Sequence, residues 1–208
     1  MRAQTAWTLI AKHRMLRAAI PICMAFAALF GGVMAAYGQQ AGLDEFKNNL
    51  APNVGSPEQA IDRMLQVAKL KPGETLYDLG CGDGRILIAA AKQYKVKAVG
   101  IEISSRLAKI AAANVQDEGL SKRVKVIHGD FMRVDLSSAN VVTLYLATSA
   151  NDTLRPNLER FLKPKTRVVS YDYPIVGWTP MATSATEGHY GDAHTIYLYE
   201  VPDSINKK

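Results

Sequence analysis

The chain has 208 residues, enough for one domain with a full core, and no second independent domain is expected. Hydrophobic residues make up 48% of it, which is typical of a folded protein and excludes a disordered one. The net charge of +6 comes mainly from residues 1–38, which hold four basic and no acidic residues; the rest carries 21 Lys and Arg against 19 Asp and Glu. This near-neutral body lacks the basic stripe that nucleic-acid phosphates require, so no nucleic-acid partner is expected.

The N-terminal segment is a hydrophobic leader. Residues 18–38 form an uncharged apolar run of 21 residues, close to the ~20 that a helix needs to cross a bilayer. This length favours a retained transmembrane anchor, whereas the small residues Ala36 and Gly38 suit cleavage by signal peptidase. Residues 1–38 are therefore interpreted as an N-terminal hydrophobic helix that is either a signal peptide or a membrane anchor, and both alternatives stay open.

A short linker separates this leader from the folded domain. Residues 39–55 have mixed polarity, one proline and two glycines, which is typical of a linker. The domain is predicted over residues 56–208. It begins with an amphipathic helix in which Ile61, Leu65 and Ala68 recur at helical spacing.

Beyond residue 73, predicted strands alternate with predicted helices. The strands are 75–79, 97–102, 124–128, 140–146 and 166–172, and the helices are 84–93, 105–118 and 152–162. An irregular stretch follows, and a last strand is predicted over 195–201. This alternation predicts an α/β domain with a doubly wound, parallel sheet.

The first predicted strand ends in a glycine-rich turn, LYDLGCGDGR. Gly80, Gly82 and Gly84 allow the backbone to turn sharply and to approach a ligand closely. Arg85 stands where a dinucleotide-binding fingerprint requires Gly or Ala, and Asp78 would repel a pyrophosphate. The sequence therefore disfavours a nucleotide-dependent oxidoreductase, which is kept as the alternative enzyme class.

The motif DLGCGDG at the end of a first strand resembles motif I of class I methyltransferases that use S-adenosylmethionine (SAM). The resemblance implies a mostly parallel, seven-stranded Rossmann-like methyltransferase sheet, with SAM as the cofactor. It assigns SAM binding to the motif residues Asp78, Gly80, Gly82 and Gly84.

Two further acids stand where this family places its cofactor ligands. Glu102 ends the second predicted strand, where an acid accepts the ribose hydroxyls. Asp130 ends the third strand, where the family binds the adenine amine, and Phe131 beside it is expected to contact the adenine ring. Three matches at three successive strand ends are more specific than one glycine turn.

Features of the second half of the chain bear on the methyl acceptor. The fourth strand lacks the Asn/Asp-Pro-Pro-aromatic tetrapeptide of many amino methyltransferases, which disfavours adenine and glutamine as acceptors. The segments DLGCGDGRI, TLYL and LKPKTRVVSYDYPIVGW resemble bacterial relatives of the mitochondrial lysine methyltransferases that act on ATP-synthase c subunit and adenine-nucleotide translocase. That family is membrane-associated, so the resemblance implies a membrane-associated protein substrate.

The expected acceptor pocket lies at the carboxyl ends of the fourth and fifth strands. Its candidate catalytic residues are Tyr145, Asp172 and Tyr173, with Tyr171 in the same pocket, because a lysine amine must be oriented and lose a proton before it attacks. The two cysteines and four histidines show no paired ligand spacing, so no metal is expected.

The leader and the cofactor lead to opposite expectations about the side of the membrane. The basic N-terminus predicts that it stays in the cytoplasm with the domain across the membrane, whereas SAM is kept in reducing compartments. The sequence leaves the side open. A domain on the far side would favour a third hypothesis, a membrane-tethered SAM-binding protein without catalytic activity.

Overall fold

The computed structural model describes residues 54–188 and 190–205. The predicted leader at 1–38, and with it the N-terminal hydrophobic helix, lies outside the described residues, as does nearly all of the predicted linker. Across the part of the chain that is described, no helix has both the length and the apolar character needed to cross a bilayer.

The described residues form helices packed on one seven-stranded sheet. The helices are α1 (Glu58–Val67), α2 (Arg85–Tyr94), α3 (Ser105–Asp117) and α4 (Thr148–Phe161). The strands are β1 (Thr75–Leu79), β2 (Lys97–Glu102), β3 (Val124–His128), β4 (Val141–Leu144), β5 (Arg167–Tyr171), β6 (Ala182–Glu187) and β7 (Ala193–Glu200). A 3₁₀ turn, Phe131–Arg133, follows β3.

The strand order is β3-β2-β1-β4-β5-β7-β6, and the first five strands in the chain run parallel to one another. β7 runs antiparallel to both β5 and β6. The seven-stranded methyltransferase sheet is confirmed, but it is mixed rather than mostly parallel, so that part of the prediction is wrong. The cause is that β5 leads into the β6–β7 hairpin, and a hairpin pairs its strands antiparallel without a crossover helix.

β6 is the strand that the sequence did not predict. Its residues, ATSATE, alternate between exposed and half-buried positions and include no large apolar side chain. Periodicity therefore gave no signal. β6 forms because it pairs along its whole length with β7, which is a tertiary effect.

The sheet is buried on both faces. Leu76, Val141 and Val169 lie in one apolar cluster with α1, α2 and α3, whereas Tyr77 and Val142 lie in a second cluster with α4. Adjacent residues of a strand point to opposite faces, so each strand contributes to both clusters. The helices leave the carboxyl ends of the parallel strands open as one common edge.

Candidate active site

The order in which the chain adds strands to the sheet reverses between β1 and β4. From β1 the chain continues to β2 and β3 on one side, and it then returns to β4 and β5 on the other side. Ligands of open α/β sheets bind at this point, outside the carboxyl ends of the strands. The glycine turn, Glu102, Asp130 and Tyr145 all follow or end strands on this edge.

The glycine turn after β1 has the backbone conformation that its sequence predicts. Gly80, Gly82 and Gly84 have φ values of 82°, 55° and 84°, in the left-handed region that glycine adopts without strain. The N–H groups of Gly80 and Cys81 both donate to the carbonyl of Ile101, at 2.8 and 3.1 Å. The turn is thus tied to β2 and held in one shape.

Asp78 is the buried carboxylate at the end of β1. Its side chain accepts a hydrogen bond from Thr143 Oγ1 on β4 at 2.7 Å, and the residue is only 3% exposed. Burial raises the pKa of Asp78 to about 7, with Glu102 and Asp83 adding to the rise and Thr143 opposing it. A cationic ligand would relieve this cost, because a nearby positive charge favours the ionised form.

Glu102 organises the backbone between the glycine turn and α3. Its Oε2 accepts the N–H of Gly82 at 2.8 Å, and its Oε1 accepts the N–H of Ser104 at 2.9 Å. Ser104 in turn accepts the N–H of Leu107 and caps α3. Each carboxylate oxygen has a second lone pair, so Glu102 keeps the capacity to accept two ribose hydroxyls.

Asp130 and Phe131 take different positions after β3. Asp130 Oδ1 accepts the N–H of Met132 at 2.8 Å and caps the 3₁₀ turn, and its side chain lies 4.0 Å from Arg133. Phe131 is 8% exposed and belongs to the apolar cluster that contains Leu144. The structure therefore shows Phe131 as a core residue, and its contact with adenine stays a prediction.

Arg85 lies outside the glycine turn. Its guanidinium pairs with Asp83 at 2.6 Å and donates to the carbonyl of Ser56 at 3.1 Å. The pairing with Arg85 holds the pKa of Asp83 below its usual value. Gly55 also packs against this guanidinium, so the first described residues join the domain beside the glycine turn.

Three tyrosines are brought together at the ends of β4 and β5. The ring of Tyr145 lies 4.6 Å from that of Tyr171 and 6.4 Å from that of Tyr173, the second pair being stacked at 27°. Tyr171 is buried and Tyr173 is 37% exposed. Burial raises the pKa of Tyr171 to about 12 and also raises that of Tyr145, so both rings stay neutral at physiological pH.

Asp172 lies between Tyr171 and Tyr173 in a left-handed conformation, with φ 68°. Its N–H donates to the carbonyl of Thr195 on β7 at 2.7 Å. On the other side of Tyr173, the side chains of Asn151 and Ser170 both donate to the Tyr173 carbonyl. The turn after β5 is therefore anchored on both sides.

His194 and Asp192 are polar neighbours of this cluster that the sequence reasoning missed. Asp172 Oδ1 lies 3.0 Å from His194 Nδ1, and His194 Nε2 lies 2.6 Å from Asp192 Oδ2. The ring of His194 also packs against Tyr171, at 5.3 Å between centroids. The spacing Asp-x-His at the start of β7 was a weak signal, because its meaning depends on which strands β7 pairs with.

The edge of the sheet therefore carries two adjoining arrangements. One is a glycine turn with carboxylates at three strand ends, which suits a cationic adenosyl ligand with hydroxyls and an amine. The other is a group of neutral aromatic rings with a carboxylate, which suits an alkyl ammonium. Among the described residues, no group of three or more His, Cys, Asp and Glu side chains is placed to hold a metal ion.

The family model described as the ANTKMT methyltransferase domain matches residues 78–182. A protein-lysine N-methyltransferase of Saccharolobus islandicus (strain REY15A) is 46% identical over 151 residues, which cover 72% of this chain and 93% of that protein. The adenine nucleotide translocase lysine N-methyltransferase of Mus musculus is 32% identical over 131 residues, covering 63% of this chain but only 57% of the mouse protein.

Among solved structures, an RNA methyltransferase from Salinibacter ruber in complex with S-adenosyl-L-homocysteine is similar in fold and sequence. The TM-score is 0.70 and the identity 41%, over 74% of this chain and 98% of that one. The family match and these similarities confirm the sequence-based resemblance to SAM-dependent lysine methyltransferases, and they support SAM as the cofactor.

Proposed function

This chain belongs to the ANTKMT methyltransferase family, a SAM-dependent family, and we propose that it methylates the ε-amine of a lysine in a protein substrate. The observation that carries the proposal is the adjoining pair of arrangements at one sheet edge: the carboxylate-lined glycine turn and the tyrosine cluster around Asp172. The name of the Saccharolobus relative supports lysine as the acceptor.

The cofactor half of the site fits SAM residue by residue. Bound SAM supplies a methyl group on a sulfonium, from which an amine displaces it in line. Glu102 has one free lone pair on each oxygen for the ribose hydroxyls, and Asp130 offers an acceptor for the adenine amine. Asp78 places a buried negative charge near the cationic part of the ligand, and the positive charge in turn favours its ionised form.

The acceptor half fits a lysine side chain. Tyr145 and Tyr173 present stacked rings against which an alkyl chain packs, and a ring face attracts an ammonium within about 6 Å. Asp172 supplies a carboxylate beside these rings, which accepts a proton from the ammonium. Only the neutral amine attacks, so Asp172 is expected to act on turnover rather than on SAM binding.

RNA is the competing acceptor class, because the Salinibacter neighbour is described as an RNA methyltransferase. The charge of the site favours a protein over RNA as the methyl acceptor. Asp130, Asp172 and Asp192 outnumber the basic partners that they face along the open edge of the sheet, Arg133 and His194, and the excess of carboxylates repels phosphates. A lysine side chain carries the opposite charge and is attracted by the same groups.

Transfer of a labelled methyl group from SAM separates the two classes. The purified full-length protein is incubated with an extract from cells that lack it, and the products are divided into protein and RNA fractions. We expect label in a protein, removed by protease and unaffected by ribonuclease. Label confined to RNA would overturn the lysine proposal while leaving the methyltransferase fold intact.

The role of Asp172 is tested by Asp172→Asn. We expect turnover to fall by about 100-fold or more, in the range of a lost general base, while the dissociation constant for SAM changes by less than ~2-fold. Asp203→Asn is the matched control, since Asp203 is exposed and pairs with Lys165 at the opposite end of the sheet. Equal turnover in the unaltered protein and in Asp172→Asn would remove Asp172 from the site.

We further propose that the substrate is membrane-associated and that residues 18–38 keep the enzyme at the membrane. The length and uncharged character of that run support an anchor. Protein that leaves the membrane fraction on washing with alkaline carbonate would contradict the anchor.

A further inference from the structure

We infer that His194 is a positioning residue of the acceptor pocket and connects Asp172 to solvent, so that the proton released by the substrate amine leaves through His194 and Asp192. The inference rests on the proposed lysine methylation and deepens it. Neither His194 nor Asp192 was a candidate from the sequence, and only the pairing of β7 with β5 and β6 brings them to the pocket.

The three side chains form a line from the pocket to the surface. Asp172 Oδ1 and His194 Nδ1 are 3.0 Å apart, and His194 Nε2 and Asp192 Oδ2 are 2.6 Å apart. The exposed fraction of the side chain is 29% for Asp172, 18% for His194 and 56% for Asp192. The imidazole is thus the most buried member and joins the two carboxylates.

The two contacts of the imidazole differ in quality. The contact with Asp192 is a hydrogen bond, whereas Nδ1 and Asp172 are at ion-pair distance without the alignment of a hydrogen bond. Contacts of catalytic groups often tighten only when substrate is bound. His194 Nδ1 is buried and lies at ion-pair distance from Asp172 Oδ1. A bound lysine ammonium that reorients the Asp172 carboxylate would align this contact and complete the route from Asp172 to Asp192.

The hairpin turn is built around this contact. His194 lies opposite Thr186 in the β6–β7 pairing, and Gly188 closes the turn by donating its N–H to the carbonyl of Asp192 at 2.8 Å. A Cβ atom at position 188 would clash with both Asp192 Oδ1 and His194 Nε2. Glycine at this position is therefore what allows the carboxylate and the imidazole to meet.

Two carboxylates face His194 and favour its protonated form. Partial burial lowers the pKa of His194, but the carboxylates of Asp192 and Asp172 outweigh it and raise the pKa above its usual value. The other titratable groups nearby are Tyr171, in ring contact on β5, and Tyr145, which packs on Tyr171; both stay neutral. The cross-strand neighbour Thr186 carries no charge.

The reaction releases a proton, and the three side chains offer a route for it. A lysine ammonium loses one proton, the freed lone pair forms the N–C bond, and the C–S bond breaks with its electron pair staying on sulfur. One proton is therefore left over for each methyl group transferred. Asp172 receives it, a neutral His194 takes it at Nδ1 and releases the proton on Nε2 to Asp192, which exchanges with water.

A pH profile of turnover tests the route in a way that a merely structural role would not affect. The unaltered protein should show an acidic limb, where activity rises as His194 loses its proton. His194→Gln retains polar contacts but cannot titrate, so the part of this limb that His194 sets should be lost, leaving only the titration of the substrate amine. Turnover should fall by about 10-fold or more, with the SAM dissociation constant within ~2-fold of normal.

The variant Asp192→Asn tests the route a second time, because it should shift the acidic limb in a known direction. Removing this carboxylate lowers the pKa of His194, so the acidic limb should move to lower pH. Asp203→Asn is the matched control and should leave the profile unchanged. If His194→Gln does not fold, the shift in Asp192→Asn and the titration of the His194 ring by NMR still decide the question.

The outcomes separate this inference from the proposed function. Profiles of the same shape in the unaltered protein, His194→Gln and Asp192→Asn would overturn the proton route and leave lysine methylation standing. Failure of the unaltered protein to methylate any protein lysine would overturn the proposed function and the route together.

Discussion

Replacing Asp78 by Asn should stabilise the protein without cofactor and weaken SAM binding, with a pH dependence set by one buried carboxyl. Its pKa is raised from 3.8 to about 7, chiefly by burial. Well below pH 3.8 the carboxyl is protonated in both the folded and unfolded states, so no free energy is lost by burying an ionised group. As pH rises from about 4 to 7, the unfolded chain ionises first, and the folded state is progressively destabilised.

The size of the effect follows from this shift. Roughly 3 pKa units at 1.36 kcal/mol each correspond to about 4 kcal/mol of folding stability lost above pH 7. The amide of Asn avoids this loss and still accepts the hydrogen bond from Thr143. For a domain of this size we expect a rise in melting temperature on the order of 10 °C at pH 8.5 and little change at pH 4.

Thermal unfolding of the full-length protein without SAM, followed by circular dichroism from pH 4 to 8.5, measures this difference. Asp203→Asn is the control, because it makes the same chemical change at an exposed site. The melting temperatures of Asp78→Asn and the unaltered protein are compared at pH 4 and at pH 8.5. The same difference at both pH values would rule out a buried, titrating Asp78. A variant that is less stable than the unaltered protein at pH 8.5 would also rule it out. In the same variant, SAM affinity should fall by about 10-fold or more, since a charged partner is lost.

Further predictions concern the cofactor turn and its support. Glu102→Gln should weaken SAM binding by about 10- to 100-fold by calorimetry. One carboxylate oxygen is replaced by an amide nitrogen, which donates hydrogen bonds and can accept neither a backbone N–H nor a ribose hydroxyl; unchanged affinity would contradict the role of Glu102. Gly100→Ala should lower the free energy of unfolding in urea by about 1–3 kcal/mol, since its Cβ would clash with Leu87 and lie 2.6 Å from Cys81 Sγ; a variant of normal stability would show that the contact relaxes freely. Burial raises the pKa of the Cys81 thiol, so iodoacetamide should alkylate it far more slowly in the native protein than in urea, and equal rates by mass spectrometry would contradict its burial.

Much of the cofactor half could be predicted because its determinants are local in the sequence. β1, β2 and β3 have the predicted bounds, since apolar runs buried on both faces are a strong signal. The glycine turn needs positive φ at Gly80, Gly82 and Gly84, which few other residues adopt. Parallel strands end at one edge, so the sequence alone predicts that Glu102 and Asp130 lie on the edge that carries the glycine turn, and their contacts with SAM stay a prediction.

The parts that could not be predicted depend on pairing between distant segments. β6 has no apolar pattern of its own and exists through its pairing with β7. That pairing also decides that His194 meets Asp172, a contact between side chains from two separate strand ends. Phe131 begins the 3₁₀ turn after β3 and its side chain packs in the core, while its contact with adenine stays a prediction.

Identifying the residue that receives the methyl group is the decisive measurement for this enzyme. Purified full-length protein is incubated with methyl-deuterated SAM and an extract from cells lacking the protein, and the modified peptides are sequenced by tandem mass spectrometry. We predict deuterated methyl groups on lysine Nε, at a rate that falls sharply in Asp172→Asn. Methyl groups found only on other residues or on RNA, or none at all from protein that binds SAM, would contradict lysine methylation.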